Sequence, residues 1–436
     1  MAFYWRIRRL AKNHRQHVAK RLLDLRVGLR TEVTQKEGAG ELKIATWNLM
    51  HFGGSGGYKR STESLQYIAE IIDHFDLVSI QEVKRDLKQL KLLLKEFLGN
   101  EWDYVVSDTT QGDAGNDERM AVLYRKERVR FSREAGEIVL PPINTDSGTV
   151  NPRQLARTPF YLAFQAGWFK FKLCSVHIHY GAKSGADRTL RIQEIDQLTK
   201  QLRSRSDDER KQELKYAKSK NYDTTPSAAN YIVLGDFNIH QGSPSKEALT
   251  DNGFKVPEDI EKVYTNTGAT RQPFDQIAVR IKDKRFKQGA GGVFDYRKYI
   301  YRDGPDERGV MRDSDFYRTV NKTHVNKLKE KETAIKHEPD TNREKAAKKR
   351  EKAVSASATK AKKLDKNADK LDEAANQLEE NFKDQAFLEN YISRGINAYF
   401  RKYYRKNQIS DHLLLWTSFK IDYANNYLEK LSKDDA

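Results

Sequence analysis

The sequence predicts an α/β fold, and two observations lead to that prediction. Between residues 40 and 280, short apolar runs bounded by polar or turn-forming residues indicate buried strands. Between these runs lie stretches with apolar residues at helical spacing, at 64–73, 87–97 and 190–202. Strands that alternate with helices pack as sheets covered by helices.

Ahead of the first strand, residues 1–37 are predicted to form a basic amphipathic helix. Leu22, Leu25 and Leu29 stand at helical spacing and would form its apolar stripe. Aromatic and aliphatic residues stand beside arginines near its start, so contact of residues 1–30 with an anionic membrane surface is one prediction.

The net charge of +17 lies mainly in two segments. Residues 1–30 hold nine Lys and Arg against one Asp, and residues 325–363 hold thirteen against six acids. The rest of the chain is therefore nearly neutral. Both segments are predicted to attach to a polyanion, nucleic acid above all. Charge that serves only solubility is the alternative.

The α/β pattern stops near residue 280. The core is predicted to span 38–320, and its last part, 281–320, is Gly- and Arg-rich and expected to be an ordered loop region. Residues 321–395 are predicted to be a helical insertion, because Ala, Lys and Glu dominate there. The core then resumes over 396–436.

The helical insertion carries an apolar seam. We expect one continuous helix from 341 to about 393, whose seam packs against a hairpin partner around 325–335. A coiled coil that joins two copies of the chain is the alternative. The seam residues alternate spacings of four and three: Leu364, Ala368, Leu371, Ala375, Leu378 and Phe382.

Polar side chains flank the predicted strands of the core. Where such strands neighbour one another, residues at their ends meet at a sheet edge, so we expect these side chains to share one cleft. The residues are Asn48, Glu82, His177, Asp236, Asn238, Asp275, Asp411 and His412.

The residue types favour a hard divalent cation, Mg²⁺ or alternatively Mn²⁺, over Zn²⁺. Glu82 with Asn48 is predicted to hold the metal. Asp236, Asn238 and Asp411 could bind a second cation or orient a phosphate.

The two histidines of the set suit proton transfer, because imidazole titrates near neutrality. His177 and His412 would each need a carboxylate to fix the tautomer, and Glu118 and Asp275 are the candidates. A metal ion and two proton carriers in one cleft predict metal-assisted hydrolysis of a phosphodiester. His51, close to the first motif, is expected to be only a polar neighbour.

The residues of these motifs and their order along the chain resemble those of the endonuclease/exonuclease/phosphatase superfamily, and within it the deoxyribonuclease I branch. The resemblance covers about 42–280 and 408–421. It is closest at Ile-Ala-Thr-Trp-Asn (44–48), Val-Ser-Ile-Gln-Glu-Val (78–83) and Phe-Asp-Gln-Ile (274–277). It implies a four-layer sandwich of two packed β-sheets flanked by helices, with the site at one sheet edge. The later part of the chain is similar to a group of bacterial members.

The resemblance also implies roles for single residues. Glu82 corresponds to the principal metal ligand, Glu118 to the partner of His177, and Asp275 to the partner of His412.

Three cations are implied to bind substrate. Arg157 resembles the family arginine that contacts phosphate, and Lys84 followed by Arg85 stands where the family places a groove-inserting arginine. The secreted deoxyribonucleases carry disulfides and structural calcium, whereas Cys174 is the single cysteine here and excludes an intrachain disulfide. With no secretory signal or apolar stretch of membrane-spanning length, a cytoplasmic location is expected.

The sequence thus predicts a Mg²⁺-dependent, deoxyribonuclease-like hydrolase that acts on DNA as a low-specificity endonuclease. A phosphodiesterase or phosphatase for lipid or inositol phosphates on the same fold is an alternative. The sequence Gln-Pro-Phe-Asp-Gln at 272–276 differs from the Pro-x-Trp-x-Asp-Arg signature of inositol phosphatases. A non-catalytic scaffold that works through its helical insertion is the second alternative, although every predicted catalytic position holds a competent residue.

Overall fold

The computed structural model describes residues 1–36, 40–110, 116–145, 148–220, 230–282, 287–302, 313–320 and 322–422, with single residues at 424, 428 and 432. The predicted boundary after residue 37 lies outside the described residues, and so does the start of the predicted insertion at residue 321. Among the helices described, none is both long and apolar enough to cross a membrane.

Strands and helices alternate over residues 41–98, as the sequence predicts. In the described residues that follow, seven strands succeed one another before the next α-helix begins at Ala186, so the predicted alternation was wrong there. The strands are β1 (Glu41–Phe52), β2 (Leu77–Lys84), β3 (Trp102–Val106), β4 (Glu118–Arg125), β5 (Arg130–Glu137), β6 (Ile143–Thr145), β7 (Gly148–Val150), β8 (Phe160–Ala166), β9 (Phe169–His177), β10 (Tyr231–Asp236), β11 (Asp275–Arg280), β12 (Lys287–Phe294) and β13 (Leu414–Lys420). The α-helices are α1 (Lys12–Glu32), α2 (Thr62–Ile72), α3 (Lys88–Leu93), α4 (Ala186–Ser219), α5 (Ser245–Thr250), α6 (Asp313–Val320), α7 (Lys322–Lys336), α8 (Glu338–Val354), α9 (Ala358–Asn381), α10 (Gln385–Tyr399) and α11 (Lys406–Gln408).

Two mixed sheets form the centre of the core. The first has the order β12-β13-β1-β2-β4-β3, and the second β11-β10-β9-β8-β5. Each contains one central parallel pair, β1 with β2 and β9 with β10, and antiparallel neighbours on both sides of that pair. The carboxyl ends of the parallel strands therefore lie at the same edge as the amino ends of their neighbours.

The inner faces of the two sheets pack against each other through a buried apolar cluster. Leu77 and Val122 of the first sheet share this cluster with Leu173 and Leu234 of the second. On the far side of the second sheet, α4 and α5 pack their own apolar residues. On the first sheet, α2 is buried along almost its whole length, and α1 packs on α2. The structure is thus an α/β sandwich of two sheets flanked by helices, and the predicted fold class is confirmed.

The sequence prediction for residues 281–320 was wrong in part, because β12 lies within this segment. Its sequence, Lys-Gln-Gly-Ala-Gly-Gly-Val-Phe, is too rich in glycine to suggest a strand. A Cβ at Gly289 would clash with Ser418 Oγ of β13, and one at Gly291 would lie 3.1 Å from the Trp416 carbonyl oxygen of the same strand. The glycines therefore permit a close approach to β13 that larger residues would prevent.

By its internal contacts the chain divides into two units, the core (Met1–Ile300 with Lys406–Ala436) and a helical unit (Tyr301–Arg405). The predicted insertion, 321–395, falls within the helical unit, which extends further at both ends. Ile335, Ile392 and Ile396 form its apolar cluster.

The expectation of one continuous helix from 341 to about 393 was wrong, because α8, α9 and α10 are separate helices. Ser355 follows α8, Ser357 precedes α9, and the Asp384 carboxylate caps α10 by accepting from the Ala386 N–H at 2.8 Å. An intrachain hairpin does form, but α9 pairs with α8 rather than with residues 325–335.

Small residues allow α8 and α9 to approach closely. Ala346, Ala368 and Ala375 are fully buried, whereas the leucines of the predicted seam are half-buried. Ion pairs join the two helices, among them that between Arg350 and Asp372 at 2.6 Å.

Candidate active site

The topology brings the ends of several strands to one place. In the first sheet, parallel β1 and β2 carry Asn48 and Glu82 near their carboxyl ends, and antiparallel β4 begins there with Glu118. In the second sheet, β9 and β10 end at His177 and Asp236, which are paired in register. Asp236 is also paired with the first residue of β11, Asp275.

The carboxylate of Asp236 lies at the centre of the site. Its Oδ2 accepts a hydrogen bond from the Asn48 amide nitrogen at 3.0 Å. The same oxygen lies 3.6 Å from His177 Nε2 and 3.7 Å from His412 Nε2. Each imidazole therefore faces this carboxylate oxygen through its Nε2 atom.

Asn48 also donates to Glu82, so that one amide group bridges two carboxylates. The Asn48 nitrogen is 2.8 Å from Glu82 Oε1, and its oxygen accepts from the Met50 N–H at 2.9 Å. In this arrangement Asn48 orients Glu82 and Asp236. The amide oxygen has a second lone pair beside the one that accepts from Met50, so ligation of a metal by Asn48 stays a prediction.

The Glu82 carboxylate is accessible to solvent, and its charge is not neutralised by any described Lys or Arg. Its φ of 62° is left-handed and lies at an irregularity between β2 and β4. Its side chain is 14% exposed, and Oε2 accepts from the His51 N–H at 2.9 Å. Of the described Lys and Arg residues, none lies within ion-pair distance of Glu82, so a cation at this position would be stabilised.

The carboxylate of Glu118, in contrast, is surrounded by basic groups. His177 Nδ1 and Arg157 Nε lie 3.2 and 2.9 Å from its Oε2, and Lys84 Nζ lies 3.3 Å from Oε1. Burial acts to raise the pKa of Glu118, but His177, Arg157 and Lys84 outweigh it and lower that pKa to about 2. Glu118 is therefore ionised near neutrality and can fix the orientation of His177.

The second imidazole has a carboxylate of its own. His412 Nδ1 lies 2.7 Å from Asp275 Oδ2, and both side chains are buried. Ser410 Oγ accepts from the His412 N–H at 2.9 Å and donates to the Asn48 carbonyl at 2.5 Å, which fixes the segment before β13 against β1. Burial alone would lower the pKa of His412, but Asp275 and Asp236 outweigh it and hold that pKa well above its ordinary value.

Asn238 and Asp411 have different positions from those expected of ligands. The Asn238 N–H donates to Asp236 Oδ1 at 2.9 Å, and its amide donates to the Ile178 carbonyl at 2.8 Å. Asn238 therefore holds Asp236 in place. The Asp411 carboxylate turns to Lys406, with Oδ2 2.8 Å from Nζ, and belongs to neither cluster of metal-binding side chains found among the described residues.

The predicted substrate-binding cations lie at the edge of the site. Lys84 and Arg157 both contact Glu118, but Arg157 does so through Nε, which leaves its terminal nitrogens free to meet a phosphate. Arg85 is exposed.

Two residues outside the predicted set contribute to the site. His51 Nδ1 lies 3.4 Å from Glu82 Oε2, because β1 is irregular between Asn48 and Phe52 and His51 adopts a φ of 52°. Arg191 of α4 is fully buried and donates to the His179 carbonyl at 3.2 Å, which holds the loop after His177. No pattern in the sequence signals either contact.

The side chains present fit a hard divalent cation. His51, Glu82 and Glu118 form one cluster, and Asp236, Asp275 and His412 form another, each with ligand atoms within 4.8 Å of one another. Among these donors, the carboxylates of Glu82 and Asp236 lack basic partners other than histidine in the part of the chain described. Carboxylate oxygens are the ligands that Mg²⁺ and Mn²⁺ prefer.

The comparisons with known proteins agree with this architecture. A sequence model of the Endonuclease/Exonuclease/phosphatase family matches residues 45–306, more than half of the chain. None of the curated proteins compared with the chain matches it.

Several solved structures are similar to the chain. The mannosyl-6-phosphatase Bt3783 of Bacteroides thetaiotaomicron VPI-5482 has 19% identity and a TM-score of 0.38, with 58% of this chain and 89% of that chain covered. Humanized D. rerio TDP2 carrying 14 mutations has 15% identity and a TM-score of 0.39, with 58% and 90% covered. D. rerio TDP2 complexed with a single-strand DNA product has 17% identity and a TM-score of 0.38, with 59% and 91% covered.

Measurements of metal binding should distinguish Glu82, as a metal ligand, from Asp411, which is not expected to be one. We expect Glu82→Gln to weaken Mn²⁺ binding by at least about tenfold, because it removes a charged ligand, and Asp411→Asn to leave the affinity unchanged. Titration of each variant with Mn²⁺, followed by electron paramagnetic resonance of the free ion, measures this without reference to activity. Equal losses in the two variants would contradict the assignment.

Proposed function

The chain belongs to the endonuclease/exonuclease/phosphatase family, and on that premise we propose that it is a Mg²⁺-dependent phosphodiesterase that cuts DNA with little base preference. Members of this family are hydrolases of phosphate esters and typically use divalent metals. The observation that supports the proposal most is the pair of imidazoles, each with its own carboxylate, that face Asp236.

The two imidazoles suit hydrolysis because the reaction needs one proton removed and one supplied. A water oxygen forms a bond to phosphorus, and the bond from phosphorus to the leaving sugar oxygen breaks. One of His177 and His412 takes the proton of the water, and the other donates a proton to the leaving oxygen. Asp275 holds the His412 ring through a hydrogen bond, and Glu118 attracts the His177 ring from 3.2 Å, so that each Nε2 can face the reacting group.

The negative charge of the phosphate needs compensation within this acidic site. Glu82, with Asp236 beside it, would hold the divalent cation, which supplies charge neutralisation and polarises the phosphate when bound. Arg157 can contribute its terminal nitrogens to a phosphate oxygen, and exposed Arg85 can meet a neighbouring phosphate of the same strand. Contacts of this kind recognise the backbone rather than the bases, which agrees with low base specificity.

The substrate class can be tested with supercoiled plasmid, RNA, a lipid phosphodiester and an inositol phosphate in parallel. We expect nicking of the plasmid with Mg²⁺ and none with excess EDTA, because without the cation the carboxylates of Glu82 and Asp236 would repel the phosphate. Gel electrophoresis and phosphate release measure the outcomes. Full activity in EDTA would refute the metal mechanism, and turnover of the lipid or inositol substrate alone would refute the DNA assignment.

The proton-transfer roles predict a large effect of each histidine. His177→Ala and His412→Ala should each lower the single-turnover rate by about 10²-fold or more, since a positioned acid or base contributes that much. His337→Ala, at an exposed histidine of the helical unit, is the matched control and should keep the wild-type rate. Unfolding curves that coincide with wild type establish that each variant is folded. A fully active His177→Ala protein would remove His177 from the mechanism.

A further inference from the structure

The N-terminal helix, α1, has one buried face and one exposed face. Val18, Leu22, Leu25 and Leu29 are buried. The apolar stripe seen in the sequence therefore packs on the core and is not available to a membrane.

The opposite face of α1 is exposed and carries a second, mixed pattern. Leu23 and Val27 are each 66% exposed and lie one helical turn apart on this face. Exposed polar and charged residues stand at the same helical spacing on both sides of them. This face, which we call the outer face of α1, consists of Lys12, Gln16, Lys20, Leu23, Val27 and Arg30.

The outer face continues into a pocket of about 650 Å³ at the start of the chain. Trp5, 40% exposed, lies in the short 3₁₀ helix Trp5–Arg9 that forms one wall. The guanidinium of Arg9 stacks over the Trp5 ring at 4.9 Å. Seven residues line the pocket: Tyr4, Trp5, Ile7, Arg8, Arg15, Gln16 and Ala19.

The basic residues in and around this surface differ in whether a carboxylate lies close to them. Arg21 and Arg26 form ion pairs with Asp24 and Glu70 at 3.1 and 2.9 Å. In contrast, no carboxylate among the described residues lies within ion-pair distance of the side chains of four other cations. They are Arg8, Arg9, Lys12 and Arg15.

From this combination we infer that the outer face of α1 and the adjoining pocket bind an anionic lipid surface. Unpaired cations attract the phosphate and carboxylate groups of anionic lipids. Trp5, Leu23 and Val27 can enter the boundary between headgroups and acyl chains, where tryptophan is favoured. A nucleic acid backbone would use the same cations but would gain nothing from two exposed aliphatic residues.

The pocket fits the same partner. Its walls combine an aromatic ring and aliphatic groups with the guanidinium groups of Arg8 and Arg15. A headgroup phosphate can lie between these arginines while the first acyl carbons contact Trp5 and Ile7. This surface is separate from the residues proposed for hydrolysis, so its use can be tested independently of any activity.

Co-flotation of the full chain with vesicles tests the inference. Binding is expected to vesicles of phosphatidylcholine with 30% phosphatidylserine and to be far weaker to pure phosphatidylcholine. Arg8→Gln with Lys12→Gln should weaken binding by roughly fivefold for each cation removed. Leu23→Asp with Val27→Asp should weaken it by about tenfold or more, because charge replaces the inserting groups.

Matched controls use exposed positions elsewhere on the core. Lys215→Gln with Lys218→Gln removes the same charge from α4, and Val139→Asp replaces an aliphatic residue that is 63% exposed. These variants should bind as wild type does. The inference is overturned if both cation pairs have equal effects, or if Leu23→Asp with Val27→Asp leaves binding intact. It is also overturned if the Arg8 and Lys12 variant loses affinity for a DNA duplex but not for the vesicles.

Discussion

The amide of Asn48 joins the two sheets at the point on which the site depends. It donates to Glu82 of the first sheet and to Asp236 of the second. Two carboxylates on facing sheets would repel each other, and a neutral donor between them holds both without cancelling the charge of either. The negative potential that attracts a cation therefore persists, while the geometry is fixed by a buried strand.

The two central parallel pairs explain why so many functional groups reach this point. Parallel strands end at a common edge, and antiparallel neighbours begin there. Glu118 and Asp275, each the first residue of such a neighbour, can thus lie beside His177 and His412 respectively. Their environments differ, since Glu118 is surrounded by cations and Asp275 is deeply buried. The same arrangement of strands therefore provides two histidines whose carboxylate partners have different electrostatic surroundings.

Much of this arrangement could be predicted, because hydrophobic runs locate strands and the residues that follow them locate an edge. The contacts that depend on local backbone irregularity could not. His51 lies near Glu82 because its own backbone is left-handed within β1. The glycines of β12 have a low strand propensity, and they occur there because little space is left for larger side chains. Asp411 stands next to His412 in sequence, but its carboxylate turns to Lys406 at a bend before β13, and spacing along the chain does not signal that contact. The break between α9 and α10 coincides with one capping side chain, Asp384, within a strongly helical composition.

The central claim is that Asp236 organises the reacting groups, and a single substitution tests it. Asp236→Asn keeps the shape of the side chain but removes the charge that both imidazoles face. The measurement is the single-turnover rate of cleavage of a short DNA duplex with saturating Mg²⁺, on protein whose unfolding transition matches wild type. The account predicts a fall on the order of 10²-fold or more. A rate within about twofold of wild type would contradict it.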